Sequence, residues 1–197
     1  MADLKQVRRD ETRLRILTKA DEMFRQFGFM RTTVADVAAE LQMSTANIYK
    51  YFPSKEAIIE ASATKALDLM TSQILLVANS KETASSRIQQ IVLIIVRRQL
   101  HTFHNEKQFY RLIIMSIESG WTAPRRFREN LNAIMDKLIL GGITTGEFKK
   151  GQHSKAGEIL MDCLLCVTHP LLLREIADTD VEKKAIVQVE FILRALK

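Results

Sequence analysis

Between Thr32 and Lys55 the side chains able to bond to something outside the protein are crowded together. Thr32, Thr33, Ser44, Thr45 and Asn47 bring short hydroxyl and amide groups. Tyr49 and Tyr51 bring phenolic hydroxyls, Lys50 and Lys55 bring ammonium groups, and Ala46 adds no bulk. None of them pairs a nucleophile with a base. Short donors and acceptors interleaved with cations suit a polyanion: ammonium and hydroxyl groups bond phosphate oxygens, and small polar groups reach base edges in a major groove. Reactive groups elsewhere are sparser. Cys163 and Cys166 form a CxxC with His169 three residues on. Redox and metal versions of that spacing sit at a helix start or bring a second ligand pair. Here the cysteines lie inside an apolar stretch, so core packing is the simpler reading and no metal is expected. His101 and His104 stand three apart without nearby carboxylate support. No phosphate-binding glycine loop, nucleophile elbow or metal-ligand cluster occurs. The sequence therefore predicts neither an enzyme nor a cofactor.

A pair of short helices must position the polar cluster. A first helix over about 10–27 carries Ile16, Leu17, Ala20, Met23, Phe24 and Phe27 as an apolar stripe, and Gly28 is placed to cap it. A second helix begins after Thr33, with Asp36 three residues on as in a capping box. Val34, Val37, Ala38 and Leu41 form its buried face. Ser44 caps a third helix, Thr45 to about Phe52, whose apolar side is Ile48, Tyr49 and Phe52; the Tyr49 ring is expected to pack and to offer only its hydroxyl. Pro53 ends it and Ser54 caps the next. Two short helices joined by a tight turn and backed by a third make a helix-turn-helix, in which the outer side of the second helix must be small, polar or basic to enter a groove.

Neither Gly nor Pro occurs between Pro53 and Gly120, which predicts helices with breaks at Asn79-Ser80-Lys81 and His104-Asn105-Glu106, each with its own capping residue. The run Ile91 to Val96 reads as a helix buried on most sides, because its flanks keep a helical pattern. Further helices are expected near 107–119, 124–140, 155–173 and 180–196, giving an all-α chain. Composition agrees with a soluble globular protein: 47% hydrophobic and 26% charged over 197 residues. Net charge is +6, and an anionic partner is favoured. Residues 1–55 hold ten Lys/Arg against seven Asp/Glu and residues 56–197 nineteen against sixteen, +3 in each, so positive charge is denser in the first part. Two cysteines, a polar start and no apolar run long enough for a bilayer point to the cytoplasm.

The joint pattern Thr32-Thr33-Val34-Ala35-Asp36-Val37-Ala38, Met43 to Phe52 and Ser54-Lys55-Glu56 resembles the signature of TetR-type (TetR/AcrR) transcriptional regulators. The resemblance covers about residues 10–60. It implies a helix-turn-helix DNA-binding domain over 1–55, followed by a larger helical effector-binding and dimerisation domain over 56–197. It implies that Thr32 and Thr33 touch phosphate at the start of the supporting helix, and that Thr45, Ala46 and Asn47, beyond the capping Ser44, face base edges. Tyr49, Tyr51 and Lys55 hold the DNA backbone, and Lys50 reaches a base or a phosphate. The family often has Gly in the turn where this chain has Gln42; a left-handed residue there costs about 1–2 kcal/mol. Ala46-Asn47 replaces the commoner Gly-Thr, so base preference does not carry over.

The same resemblance implies an effector pocket and a homodimer formed by the last two helices. Candidate pocket residues are Met70, His101, Phe103, Met115, Glu118, Trp121 and Met135; plain core or loop packing explains them as well. Apolar faces on the last two helices offer Leu160, Cys163, Leu164, Val167, Val189, Ile192 and Leu193 for the dimer, and internal core is the competing reading. The expected function is a repressor that binds operator DNA as a homodimer and is released by a small apolar or amphipathic effector. Two alternatives remain: an architectural DNA-binding protein with little base preference, and a dimeric DNA-binding protein without an effector.

Overall fold

The computed structural model describes residues 2–151 and 155–197, and every regular element among them is helical. In chain order these are α1 (Ala2–Phe27), α2 (Val34–Glu40), α3 (Thr45–Tyr49), α4 (Lys55–Ala78), α5 (Ala84–Asn105) and α6 (Lys107–Glu118). They continue with α7 (Thr122–Thr144), α8 (Ala156–Cys163), α9 (Leu165–Thr168), α10 (Pro170–Arg174) and α11 (Val181–Leu196). Two compact units divide the chain: residues 1–66 with 106–123, and residues 67–105 with 124–197. No single cut in the sequence yields that division, because α6 joins the first unit from a distance. No helix among the described residues is long and apolar enough to cross a membrane.

The first unit closes around the stripe of α1. Ile16, Leu17, Ala20 and Phe24 are buried together with Val34, Val37 and Ala38 of α2, Ile48 of α3, Phe52, and Ile58, Ile59 and Ala63 of α4. Phe109 and Leu112 of α6 complete this core. Phe27, assigned to the same stripe from sequence, is half exposed; the helix ends there and the chain turns away. Gly28 ends α1 with φ +86°, and a Cβ at that position would sit 2.8 Å from Gln108 Oε1. The left-handed conformation favours glycine, and a Cβ would also have to displace the end of the Gln108 side chain. Beside it, Arg25 joins α1 to α6. Its guanidinium donates to Asp21 Oδ2 at 3.1 Å and to Glu106, and lies 3.8 Å above the Phe109 ring centroid.

The second unit is built on α5, where Ile88, Ile91, Val92, Ile95 and Val96 are all buried. Leu131, Met135, Leu138 and Ile139 of α7, Leu160 and Met161 of α8, and Val181, Ala185, Val189 and Leu193 of α11 pack in the same core. The β-branched run forms a helix because neighbouring helices cover most of its circumference. The breaks at 79–81 and 104–106 fall where expected, but the caps differ. Thr83, not Asn79 or Ser80, accepts from Ser86 N, and the Glu147 carboxylate reaches across the unit to accept from Ala84 N at 2.7 Å and Ser85 N at 2.9 Å. Glu106 supplies no side-chain cap to α6. The single helix expected over 155–173 is three short ones, α8 to α10. His169 is extended (φ −93°, ψ 127°) ahead of Pro170, because proline disfavours a helical residue before it and lacks the donor to continue. Gly157 lets α8 close on α7: a Cβ there would lie 2.5 Å from Asn132 O and Asp136 N.

Burial pushes the Glu147 pKa up, but hydrogen bonds from Ser85 and Ala84 outweigh it and hold the carboxyl below its ordinary range. A depressed pKa contributes stability above the ordinary carboxylate pKa, and that contribution is lost as pH falls through the folded-state value. Glu147→Ala is expected to cost about 1 kcal/mol in urea denaturation at neutral pH, the size of a lost helix cap. The gap between wild type and variant should close as the medium is acidified below the carboxylate range.

Candidate nucleic-acid interface

The supporting helix α2 starts at a closed capping box. Asp36 N donates to Thr33 Oγ1 at 3.1 Å, and Thr33 N and Oγ1 both donate to Asp36 Oδ2, at 2.8 and 2.7 Å. The hydrogen bonds from the Thr33 backbone and hydroxyl hold the Asp36 carboxyl below its ordinary pKa. That carboxylate therefore stays ionised and turned onto its own cap. Thr33 is exposed while Thr32, one residue earlier, is buried. The Thr32 hydroxyl donates to Gly28 O at 3.0 Å, so Thr32 braces the turn after α1 and its side chain does not face outward.

From α2 the chain reaches α3 through a turn whose tightest residue is Gln42, at φ +55°. Leu41 N bonds Val37 O at 3.2 Å and Met43 N bonds Ala38 O at 2.9 Å, so the turn is pinned to the last carbonyls of α2. Ser44 then caps α3 by accepting from Asn47 N at 3.2 Å. Only Ile48 of α3 is buried. Ser44, Thr45, Ala46 and Lys50 are exposed and Asn47 is partly so. They leave an outer side with no large apolar group, as groove entry requires.

The aromatic residues divide differently from the expected pattern. Tyr49 is 50% exposed and projects from α3, whereas Tyr51 packs half-buried against the first unit's core and Phe52 is inside it. The cause is helical spacing: Ile48, Tyr51 and Phe52 stand at i, i+3 and i+4 on one side, Phe52 N still bonds Ile48 O at 3.0 Å, and Tyr49 and Lys50 fall on the outer side. Lys55 Nζ donates to Met30 O at 3.4 Å; with two further N–H groups it can still meet a phosphate.

The residues suggested for an effector divide between the units. In the second, Met135 is fully buried, Met70 and Phe103 pack half-buried on the core, and His101 is exposed on α5. In the first, Met115 and Trp121 pack on the core and Glu118 is exposed. The second unit also holds polar atoms that are buried and lack a hydrogen-bond partner among the described residues, at Ser80 Oγ and Ser85 Oγ near the start of α5 and at Gln99 Oε1, Asn132 Oδ1 and His169 Nδ1. The Gln99 amide donates to Thr168 O. Burial and the nearby Arg128 guanidinium push the His169 pKa below its ordinary value.

Of the side chains suggested for a dimer, Leu160, Leu164, Val167, Val189 and Leu193 are buried in the protomer's own core, and Ile192 packs against it. Cys163 is exposed, and Cys166 is half-buried beside Gln188. The apolar side chains turned outward on these helices are others: Ile159 on α8, 60% exposed, and Val187 and Phe191 on α11, 57% and 75% exposed. Their spacing was visible in the sequence, but Val187 and Phe191 stand among Lys183, Lys184, Glu190 and Arg194, and periodicity marked the inner stripe instead.

The sequence matches the family model for bacterial regulatory proteins of the tetR family over residues 16–62, and that for a tetracyclin repressor-like C-terminal domain over residues 84–187. No curated protein matches it. Its fold is similar to that of a transcriptional regulator from Cytophaga hutchinsonii, at 25% identity and TM-score 0.70, over 92% of this chain and 96% of that one. It is similar also to a TetR/AcrR-family regulator from Thermobifida fusca, at 20% identity and TM-score 0.66, over 95% and 99% of the two chains. A third similar structure is the regulator FadR from Bacillus subtilis in complex with stearoyl-CoA, at 16% identity and TM-score 0.63, over 93% and 99%.

The left-handed Gln42 generates a stability prediction. Gln42→Gly removes the side-chain strain and is expected to stabilise the protein by about 1 kcal/mol, the left-handed cost less part of glycine's entropy. The check is a shift in the urea midpoint without a change in slope.

Proposed function

The chain belongs to the tetR family of bacterial regulatory proteins, transcriptional regulators with a DNA-binding domain, and from that premise we propose that it is a cytoplasmic repressor released from its operator by a small-molecule effector. DNA binding resides in residues 1–55, and effector binding and dimerisation in residues 56–197. The observation that carries the reading is the outer side of α3, where Thr45, Ala46, Asn47 and Lys50 project from a helix held by a capped, pinned turn. Thr45, Ala46 and Asn47 face base edges. Thr33, Tyr49 and Lys55 hold phosphates, Lys50 reaches either, and Tyr51 offers its hydroxyl.

A near-palindromic operator needs two such helices about one turn of DNA apart, and hence a two-fold copy of this chain. We assign the dimer face to the outward side of the last helices, with Val187 and Phe191 of α11 and Ile159 and Cys163 of α8, in place of the side chains buried in the protomer. The effector enters the larger domain and favours a different spacing of the two α3 helices. DNA affinity then falls by a coupling energy of about 1–3 kcal/mol. An apolar or amphipathic ligand suits the Met- and Phe-bearing core, and the unpartnered Gln99, Asn132 and His169 atoms offer it polar anchors.

The test is a titration into a labelled duplex from just upstream of the gene, with scrambled competitor. A specific regulator prefers its site by roughly a thousandfold or more; binding that the competitor abolishes on every upstream and selected sequence would favour an architectural protein instead. Tyr49→Ala and Lys55→Ala are expected to weaken binding to all sequences alike. Asn47→Ala should relax base preference, by about 1–3 kcal/mol at the position it reads. Phe191→Arg is expected to sediment as a monomer while retaining its helical spectrum; a variant that stays dimeric would move the interface elsewhere.

A further inference from the structure

The first half of α1 buries no apolar side chain in the core. Among residues 4–15 every side chain is exposed except the half-buried Thr12. Five Lys/Arg (Lys5, Arg8, Arg9, Arg13 and Arg15) stand there against Asp10 and Glu11, half of the ten found in residues 1–55. Their placement is ordered. Lys5, Arg9 and Arg13 follow one another at steps of four, and the same side of the helix continues as Ile16, Ala20 and Phe24, which are buried. The core-facing side of α1 therefore changes from apolar to basic at Arg13. Asp10 and Glu11 lie off this stripe.

A solvated charged face accounts poorly for this arrangement. Cations in the first turns of a helix oppose the positive end of its dipole. Like charges four apart destabilise a helix by a few tenths of a kcal/mol per pair. Among the described residues none of Lys5, Arg8, Arg9 or Arg15 is paired with a carboxylate. A segment of this length without packing is marginal as a helix. The free protein thus bears an electrostatic cost that a polyanion along the stripe would offset.

The stripe also starts next to the reading helix. The Arg13 guanidinium lies 4.6 Å over the ring centroid of Phe52, two residues after Lys50 at the end of α3. From that contact Arg9 and Lys5 extend along the axis by about 6 and 12 Å. We propose that the first half of α1 is a second DNA-contacting element, its Lys5-Arg9-Arg13 stripe binding phosphates that flank the bases read by α3. This rests on the DNA-binding reading above and adds to it a sequence-independent contact.

Counterion release gives the test. Full-length wild type, Lys5→Ala/Arg9→Ala and the control Lys81→Ala/Lys137→Ala, both exposed in the second unit, are titrated into the upstream duplex and into a scrambled duplex over a range of salt. Two lost phosphate contacts should make the plot of log affinity against log salt shallower by roughly 1.8 on both duplexes, so that the wild-type advantage falls ~12-fold for each fourfold rise in salt. The control should keep the wild-type slope. Circular dichroism should show no loss of helix in the variant, since alanine is the better helix former. A wild-type slope in the Lys5/Arg9 variant overturns the proposal. Wild type binding neither duplex would instead overturn the DNA-binding reading itself.

Discussion

A five-residue helix cannot orient itself. Isolated helices need a dozen or more residues to be even marginally stable in water, and α3 has five with a single buried side chain, Ile48. Its direction must come from what holds its two ends. At the start, Ser44 caps its first turn by accepting from Asn47 N, and the Met43 amide ties the chain to Ala38 O near the end of α2. At the finish, Phe52 enters the core beneath Arg13, and Pro53 prevents the helix from running on. Those anchors depend in turn on α2, which is only seven residues long and is fixed by the Thr33–Asp36 box and by Val37 and Ala38 against α1. Each polar group in the chain of anchors is satisfied locally. The outer side of α3 is left with no structural duty, and that freedom is what lets it be small and polar.

The second unit solves a different problem with the same physics. Its central helix is rich in β-branched residues, which lose rotamer freedom in a helix. Tertiary burial on most sides outweighs that cost, and the first amides of the helix, Ala84 N and Ser85 N, donate to the carboxylate of sequence-distant Glu147. Where helices approach closely, as α8 does on α7, Gly157 allows backbone to meet backbone and the Asp136 carboxylate accepts the Gly157 amide at 2.7 Å.

Local signals were the legible ones. The capping box at Thr33, the Ser44 cap, the Gly28 terminus, the break before α6 and the buried face of α2 all arise within a few residues of one another, and periodicity with side-chain chemistry reveals them. Partners remote in sequence were not legible. Glu147 lies 63 residues from the amide it caps, and nothing near Ala84 announces it. The inward turn of Thr32 and outward turn of Thr33 depend on where the Gly28 carbonyl ends up. Tyr51, and not Tyr49, shares the inner side with Ile48 and Phe52, because i, i+3 and i+4 define that side and neighbouring aromatic candidates left its centre ambiguous. The longer α1 was missed because the apolar residues of its first half, Leu4, Val7 and Leu14, lie off the stripe that Ile16, Ala20 and Phe24 bury and are exposed.

Helix α11 shows why apolar content alone misassigns an interface. Val181, Ala185, Val189 and Leu193 repeat at intervals of four and are all buried, while Val187 and Phe191, also four apart, point outward. Charged Lys183, Lys184, Glu190 and Arg194 share that outer side, and Val187 and Phe191 are the apolar exceptions on it. Leaving a Phe and a Val in water forgoes about 1.5–3 kcal/mol for each side chain that a partner would cover. A two-fold contact counts every such side chain twice, since both copies offer the same patch. The most buried positions are therefore the worst candidates for a partner, because the protomer already uses them. The side chains that sequence periodicity treats as exceptions are the ones a second copy can cover, and the same two-fold relation would present two copies of α3 to a palindromic duplex.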